Sequence, residues 1–166
     1  MPTRAVPQIS NAEQAVREAN RLFYQAFAAL DLEQMDAIWA HEDWIACVHP
    51  GWDLLLGWEE VRESWARIFA STRRVKVEIS SVWVRVEGDV AWVACTEHVT
   101  STYERGFDQA LVQATNIFVR RSVVADARDA PEAGPAAHGG RRSVYRWQMV
   151  AHHASPLPTA PAPTLQ

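Results

Sequence analysis

Apolar residues in the first part of the chain recur at three- and four-residue steps, which is the spacing of one face of an α-helix. Residues Ala12 to Leu30 follow this pattern, and Ser10 opens the capping-box sequence S-x-x-E that is typical of a helix start. The same periodicity predicts a short second helix over Leu32 to Trp39. It predicts a third helix from Trp58 to Ala70.

Later in the chain the apolar spacing changes to two, which is the period of a half-buried β-strand. A short strand is predicted first, from Trp44 to Val48, because His49-Pro50-Gly51 prevents its continuation. A shift of apolar parity at Ser80-Ser81 predicts a bulge or sharp bend within the next strand. The four long predicted strands are Arg74 to Val86, Val90 to Tyr103, Leu111 to Arg121 and Ser143 to His153.

The predicted elements form one α+β domain over residues 10–156, in which three N-terminal helices pack on an antiparallel sheet. The bend predicted in the sheet would let it curve strongly around the long helix into a cone with an apolar interior, a common shape for a ligand pocket. Residues 122–142 are rich in Ala, Gly and Pro and are predicted to be a mobile loop insertion. Residues 1–9 and the Pro-rich residues 157–166 are predicted to be disordered tails.

Composition narrows the functional classes. The 166 residues carry a net charge of −4, so there is no basic surface of the kind that nucleic-acid binding requires. No apolar run is long enough to span a membrane, and the N-terminus has no signal-peptide core, so a cytoplasmic protein is expected. Cys47 and Cys95 lie in apolar strand-like runs and are expected to be core residues. The histidines show no metal-ligand spacing, so neither a metal site nor a cofactor is expected.

Strand parity selects polar residues that would face the cone interior. Asn116 shares one strand face with Val112, Ala114 and Phe118, where a carboxamide needs a hydrogen-bond partner or a ligand. His153 shares a face with Trp147 and Met149, which predicts that His153 points inward and His152 outward. The same counting allows His98 to enter the pocket. His49, at the end of its strand, can expose its imidazole to the cavity, although a loop histidine bonded to backbone is an equal alternative.

Tryptophans are the other abundant candidates. The chain has 8 of them, several of which flank the second and third predicted helices. They either pack as core and rim residues or line an aromatic pocket mouth. The predicted ligand-binding residues among them are Trp44, Trp52, Trp58 and Trp65, to which strand parity adds His98 and Phe118.

Several segments in this order resemble the nuclear-transport-factor-2-like superfamily, in its SnoaL-like, ketosteroid-isomerase-like branch. They are D-L-E-Q-M-D-A-I-W, V-H-P, G-W-E-E-V-R-E-S-W, A-T-N-I-F and W-Q-M-V-A-H-H-A-S. The resemblance implies that His49 and Asn116 occupy the positions of the two catalytic aspartates of ketosteroid isomerases, and that Phe23, with Tyr24 beside it, occupies that of the oxyanion-binding tyrosine. The departure at all three positions argues against steroid isomerisation itself. His98, Asn116 and Tyr24 together also resemble a dehydratase pocket. With this resemblance Tyr24 joins the predicted ligand-binding residues, and His49, Asn116 and His153 are the predicted catalytic residues.

Two functions therefore remain open from the sequence. One is a cofactor-independent isomerase, dehydratase or cyclase that acts on a small apolar or aromatic ligand bearing a carbonyl or hydroxyl group. The other is a non-catalytic ligand-binding or association domain. A homodimer through the outer face of the sheet is expected in either case, because Ile117, Val119 and Val150 would otherwise expose an apolar patch.

Overall fold

A computed structural model describes residues 10–125 and 142–158 of the chain. Within these ranges, three helices pack on one open, mostly antiparallel sheet of six strands, so the predicted α+β fold is confirmed. The helices are α1 (Asn11–Ala29), α2 (Leu32–Ile38) and α3 (Trp58–Ser71). The strands are β1 (Ala46–Val48), β2 (Leu55–Leu56), β3 (Arg74–Glu87), β4 (Val90–Thr102), β5 (Phe107–Ala125) and β6 (Arg142–Pro156).

The helix starts follow the predicted capping. Ser10 accepts a hydrogen bond from the backbone N–H of Glu13, and Asp31 accepts one from that of Gln34, so each side chain satisfies an otherwise free donor of the first turn. Helix α1 ends at Ala29, and the capping residue that follows, Leu30, has a φ of 53°, the left-handed conformation that closes many helices. These caps separate α1 from α2, and both helices contact the sheet.

The sheet order is β2-β1-β6-β5-β4-β3. Strands β3 to β6 form the predicted antiparallel meander, and β1 adds to it in parallel with β6. The predicted bend in β3 is confirmed, because the pairing with β4 shifts between Ser80 and Trp83 and Ser81 has a φ of 52°. The buried side chains between the sheet and the helices form the core of the cone.

Several predicted strand ends were wrong: β1 begins at Ala46 rather than Trp44, and β6 continues to Pro156 rather than ending at His153. Strand β5 begins at Phe107, four residues before the predicted start at Leu111, because its backbone continues to pair with polar residues of β4 up to Thr102. It also continues to Ala125, and β6 begins at Arg142, so both ends of the predicted 122–142 loop are strand. Residues 126–141 and both predicted tails, apart from Leu157 and Pro158, lie outside the described residues.

None of the helices in the described residues has both the length and the apolar content that crossing a bilayer requires. Nor do His, Cys, Asp and Glu side chains in these ranges gather in a group of three or more that could hold a metal ion.

Candidate functional site

A hydrogen-bonded row of buried polar side chains crosses the interior of the cone. This polar chain consists of His152, Asn116, Tyr24 and Glu97. Asn116 of β5 is fully buried, as predicted, and is bonded on both sides. Its Oδ1 lies 2.6 Å from Nδ1 of His152 on β6, and its Nδ2 lies 3.1 Å from the Tyr24 hydroxyl on α1. The Tyr24 hydroxyl in turn lies 2.7 Å from Oε1 of Glu97 on β4. Four elements of the fold therefore contribute one residue each.

The donors in this chain all point the same way. An amide oxygen can only accept, so His152 Nδ1 carries the proton that it shares with Asn116. The Asn116 amide then donates to Tyr24, and also to Oδ1 of Asn20 at 2.8 Å. The Tyr24 hydroxyl donates to Glu97. Hydrogen bonding is thus directed from the histidine towards the carboxyl group.

Burial sets the charge state of these groups. It raises the pKa of the Glu97 carboxyl to about 7, which the hydrogen bond from Tyr24 only partly opposes, and no salt bridge to Glu97 occurs among the described residues. Burial also raises the pKa of Tyr24 far above its usual range, so the phenol stays protonated. Burial, aided by the neighbouring His49 and His153, lowers the pKa of His152 to about 3. At neutral pH the imidazole of His152 is therefore uncharged.

His49 lies beside the polar chain, next to His152. It follows β1 and begins the turn His49-Pro50-Gly51-Trp52, in which Trp52 N–H donates to the His49 carbonyl and Gly51 has a φ of 78°, as in a type II turn. Its Nε2 lies 2.8 Å from Oγ of Ser64, which itself donates to the Val61 carbonyl. Ser64 Oγ therefore accepts from His49 Nε2–H, and His49 Nδ1 carries a lone pair.

His49 and His152 lie close together and are surrounded by aromatic rings. Their ring centroids are 6.3 Å apart. Burial, followed by the charge of Arg67, lowers the pKa of His49 to about 4, so both imidazoles are neutral at pH 7. Trp65 lies edge-on to His49 with centroids 4.6 Å apart, and Phe23 lies 5.1 Å from the ring of His152. His49 and Asn116, predicted to converge, thus both lie against His152.

A family comparison identifies the fold. Residues 16–123 match the model of the SnoaL-like domain, a span that covers most of the cone. The chain belongs to the SnoaL-like domain family.

Three known proteins are similar to this chain over most of its length. A candidate dehydratase of the NTF2-like family from Streptomyces avermitilis is 32% identical, with a TM-score of 0.68, over 88% of this chain and 96% of its own. A candidate calcium/calmodulin-dependent protein kinase type II association domain from Thiobacillus denitrificans is 29% identical, with a TM-score of 0.63, over 86% and 94%. The F-box protein SKIP8 of Arabidopsis thaliana is 25% identical over 85% of this chain, which spans 49% of that relative's length.

The prediction that His153 points into the SnoaL-like cone was wrong. His153 is exposed on the outer face, and His152 is buried in the cone. The reason is a bulge in β6, where Ile117 pairs with Ala151 but Phe118 pairs with Met149. Val150 is the extra residue, so the alternation of faces shifts by one after Met149. Val150 is itself buried and does not belong to the outer apolar patch.

The prediction for His98 was also wrong. His98 is exposed and its Nε2 lies 3.0 Å from the Ser80 hydroxyl on the outer face of the sheet. The inward residues of β4 are instead Ala91, Val93, Cys95 and Glu97. The sequence contained evidence for this face, because three small or β-branched apolar residues have the same parity as Glu97. A buried carboxyl is unfavourable, however, and this argued for placing the opposite face of β4 inward.

The predicted aromatic residues divide into three environments. Trp65 and Phe118 are fully buried in the core. Trp52 is exposed but packs edge-on against His49, with centroids 5.0 Å apart and the Arg67 guanidinium 5.5 Å from its ring. Trp44 is exposed, and Trp58 stacks on the exposed His41 with centroids 4.4 Å apart, so both lie outside the polar chain. Cys47 and Cys95 are buried and free, as predicted.

Sequence reasoning missed four residues of this region: Asn20, Ser64, Glu97 and His152. Asn20 and Ser64 lie on helix faces that are otherwise apolar, which is the signal that could have found them. For His152 no comparable signal existed, because its orientation depends on the bulge.

Proposed function

We propose that this SnoaL-like domain binds, inside the cone, a small apolar or aromatic molecule with a carbonyl or hydroxyl group. The domain then transfers a proton from one atom of that molecule to another. The observation that carries the proposal is the buried Glu97 carboxyl, whose pKa of about 7 makes it both a proton acceptor and a proton donor at neutral pH. A buried ionisable group without a cation partner destabilises the fold and is typical of a functional site.

The polar chain supplies the other parts of such a reaction. Glu97 would remove a proton from a carbon next to the substrate carbonyl and return it to another atom of the same molecule, so that no electrons are gained or lost. Asn116 and Tyr24 would hold the carboxyl in place, and His49 would offer a second neutral acceptor at Nδ1. An isomerase or a lyase fits this proton transfer, and neither needs a redox group.

Deuterium exchange tests the proposal directly. 1-Tetralone and 1-indanone would be incubated with the protein in D2O, and loss of the α-proton signal would be followed by NMR. We expect the protein to accelerate exchange above the buffer rate. The acceleration should be about 10²-fold smaller for Glu97→Gln, as expected for loss of a general base. Glu63→Gln, at an exposed carboxyl on α3, is the matched control. Equal rates for Glu97→Gln and the unchanged protein would contradict the proposal.

A second function, association of two copies through the sheet, is supported by a groove on the outer face. This outer groove has a volume of about 490 Å³, and its lining combines apolar residues, which include Val48, Leu54, Ile117 and Ala151, with polar residues such as Gln113 and His153. Leu54 is 57% exposed, which is unfavourable for a large aliphatic side chain in water. The similarity to a candidate association domain from Thiobacillus denitrificans points the same way. The two functions use opposite faces of the sheet and are compatible.

A further inference from the structure

Trp65 has a feature that core packing does not explain. Its side chain is only 1% exposed, yet its indole Nε1–H has no hydrogen-bond partner among the described residues. Buried N–H groups are nearly always paired, so an unpaired one calls for an explanation such as a ligand. The indole is also in the part of the cone where the two buried histidines meet.

The neighbours of Trp65 complement that donor. Its ring centroid is 4.6 Å from that of His49 and 6.0 Å from that of His152. Each of these neutral imidazoles uses its N–H elsewhere, His49 towards Ser64 and His152 towards Asn116. His49 Nδ1 and His152 Nε2 therefore keep lone pairs, and among the described residues only Cys47 Sγ, at 4.0 Å, lies within reach of His49 Nδ1. One unpaired donor and two imidazole lone pairs thus lie on neighbouring rings.

A hydroxyl group matches this set, because it accepts one hydrogen bond and donates another. A carbonyl oxygen can accept from the indole but has no proton for the imidazole lone pairs. We propose that Trp65 is a ligand-binding residue that selects hydroxyl-bearing ligands over the corresponding ketones: the ligand oxygen accepts from the indole N–H of Trp65, while its proton goes to the ring nitrogen of His49 or His152. This inference rests on the proposed function, since it names the ligand class of the same cone.

Trp39 provides a matched control within the chain. It too is fully buried and its Nε1–H has no partner among the described residues. Among the described residues its ring neighbour is Trp58, with centroids 6.4 Å apart, rather than a histidine. Replacing either tryptophan by phenylalanine removes one indole N–H and a similar volume from the core, but only the change at Trp65 removes a donor beside the two imidazoles.

The experiment compares an alcohol with its ketone. Dissociation constants for 1-tetralol and 1-tetralone would be measured by calorimetry with the unchanged protein, Trp65→Phe and Trp39→Phe. We expect the unchanged protein to favour 1-tetralol by about tenfold, as expected when a buried hydrogen bond is lost. Trp65→Phe should abolish this preference, and Trp39→Phe should retain it.

The outcomes separate the two proposals. If the unchanged protein binds the ketone as tightly as the alcohol, or if Trp65→Phe weakens both ligands equally, the selection by Trp65 is wrong while ketone exchange that depends on Glu97 still stands. If the unchanged protein binds neither compound and exchanges no ketone proton, both proposals fail. Because the preference of the unchanged protein is itself a required result, the inference remains testable even if Trp65→Phe does not fold.

Discussion

Glu97 shows how one buried carboxyl links the candidate site to the stability of the whole domain. Its pKa is raised to about 7 from the usual 4.5 of a glutamate, so between these pH values the folded chain retains a proton that the unfolded chain has lost. The contribution of Glu97 to stability therefore falls as the pH rises through this window. The lowered pKa values of His49 and His152 act in the opposite direction, because their contribution is lost as the pH falls below 6.5.

Glu97→Gln isolates the carboxyl contribution, since both histidines are present in both proteins. We expect the free energy of unfolding of the variant, relative to the unchanged protein, to increase by up to about 3 kcal/mol between pH values of about 4 and about 8. Urea denaturation across that range measures the difference. A difference that stays constant with pH would mean that Glu97 is not held near a pKa of 7.

Asn116 is the residue on which the polar chain depends most. Asn116→Leu would leave three buried partners, His152, Tyr24 and Asn20, without their bonds to it. We expect a loss of about 1–3 kcal/mol in the free energy of unfolding, measured by urea denaturation. Gln109→Leu, an equivalent change at an exposed position of β5, should alter it by less than about 0.5 kcal/mol. Equal effects of the two changes would show that the buried bonds contribute nothing.

At the scale of elements, the sequence predicted what depends on local periodicity. The three helices, the meander and the irregularity at Ser81 follow from apolar spacing and capping residues, and all three are confirmed. The bulge at Val150 was missed, because its neighbours on both sides are apolar and no parity change is visible there. That single missed residue exchanged His152 for His153 in the predicted site. Side-chain parity is therefore only as reliable as the register of the strand.

The bend in β3 also has a local test. Ser81 adopts a left-handed φ of 52°, which is unfavourable for β-branched side chains. We expect Ser81→Val to lower the free energy of unfolding by about 1–2 kcal/mol, whereas Arg74→Val on the same strand, where no positive φ occurs, should be nearly neutral. Thermal unfolding of both variants measures the contrast. If Ser81→Val matched Arg74→Val, the bend would not depend on that conformation.

At the scale of the whole molecule, the outer groove predicts self-association. We expect light scattering to give twice the chain mass of 18.7 kDa for the unchanged protein, and a mass near 18.7 kDa for Leu54→Asp. The charge would lie in the groove, where burial against a second copy is costly. Leu22→Asp, a similar change at an exposed leucine of α1, should keep the higher mass. A monomer mass for the unchanged protein would contradict the dimer.

The polar chain also has a consequence for how the protein folds. Its hydrogen bonds join residues that are 36 to 96 positions apart in the sequence, so each requires a long loop to close before it can form. We therefore expect these bonds to be absent from the folding transition state. Stopped-flow measurements on Asn116→Leu should show nearly unchanged refolding and unfolding that is about thirtyfold faster for a loss of about 2 kcal/mol. The time that the domain stays folded would then depend on a cluster that contributes nothing to how fast it folds.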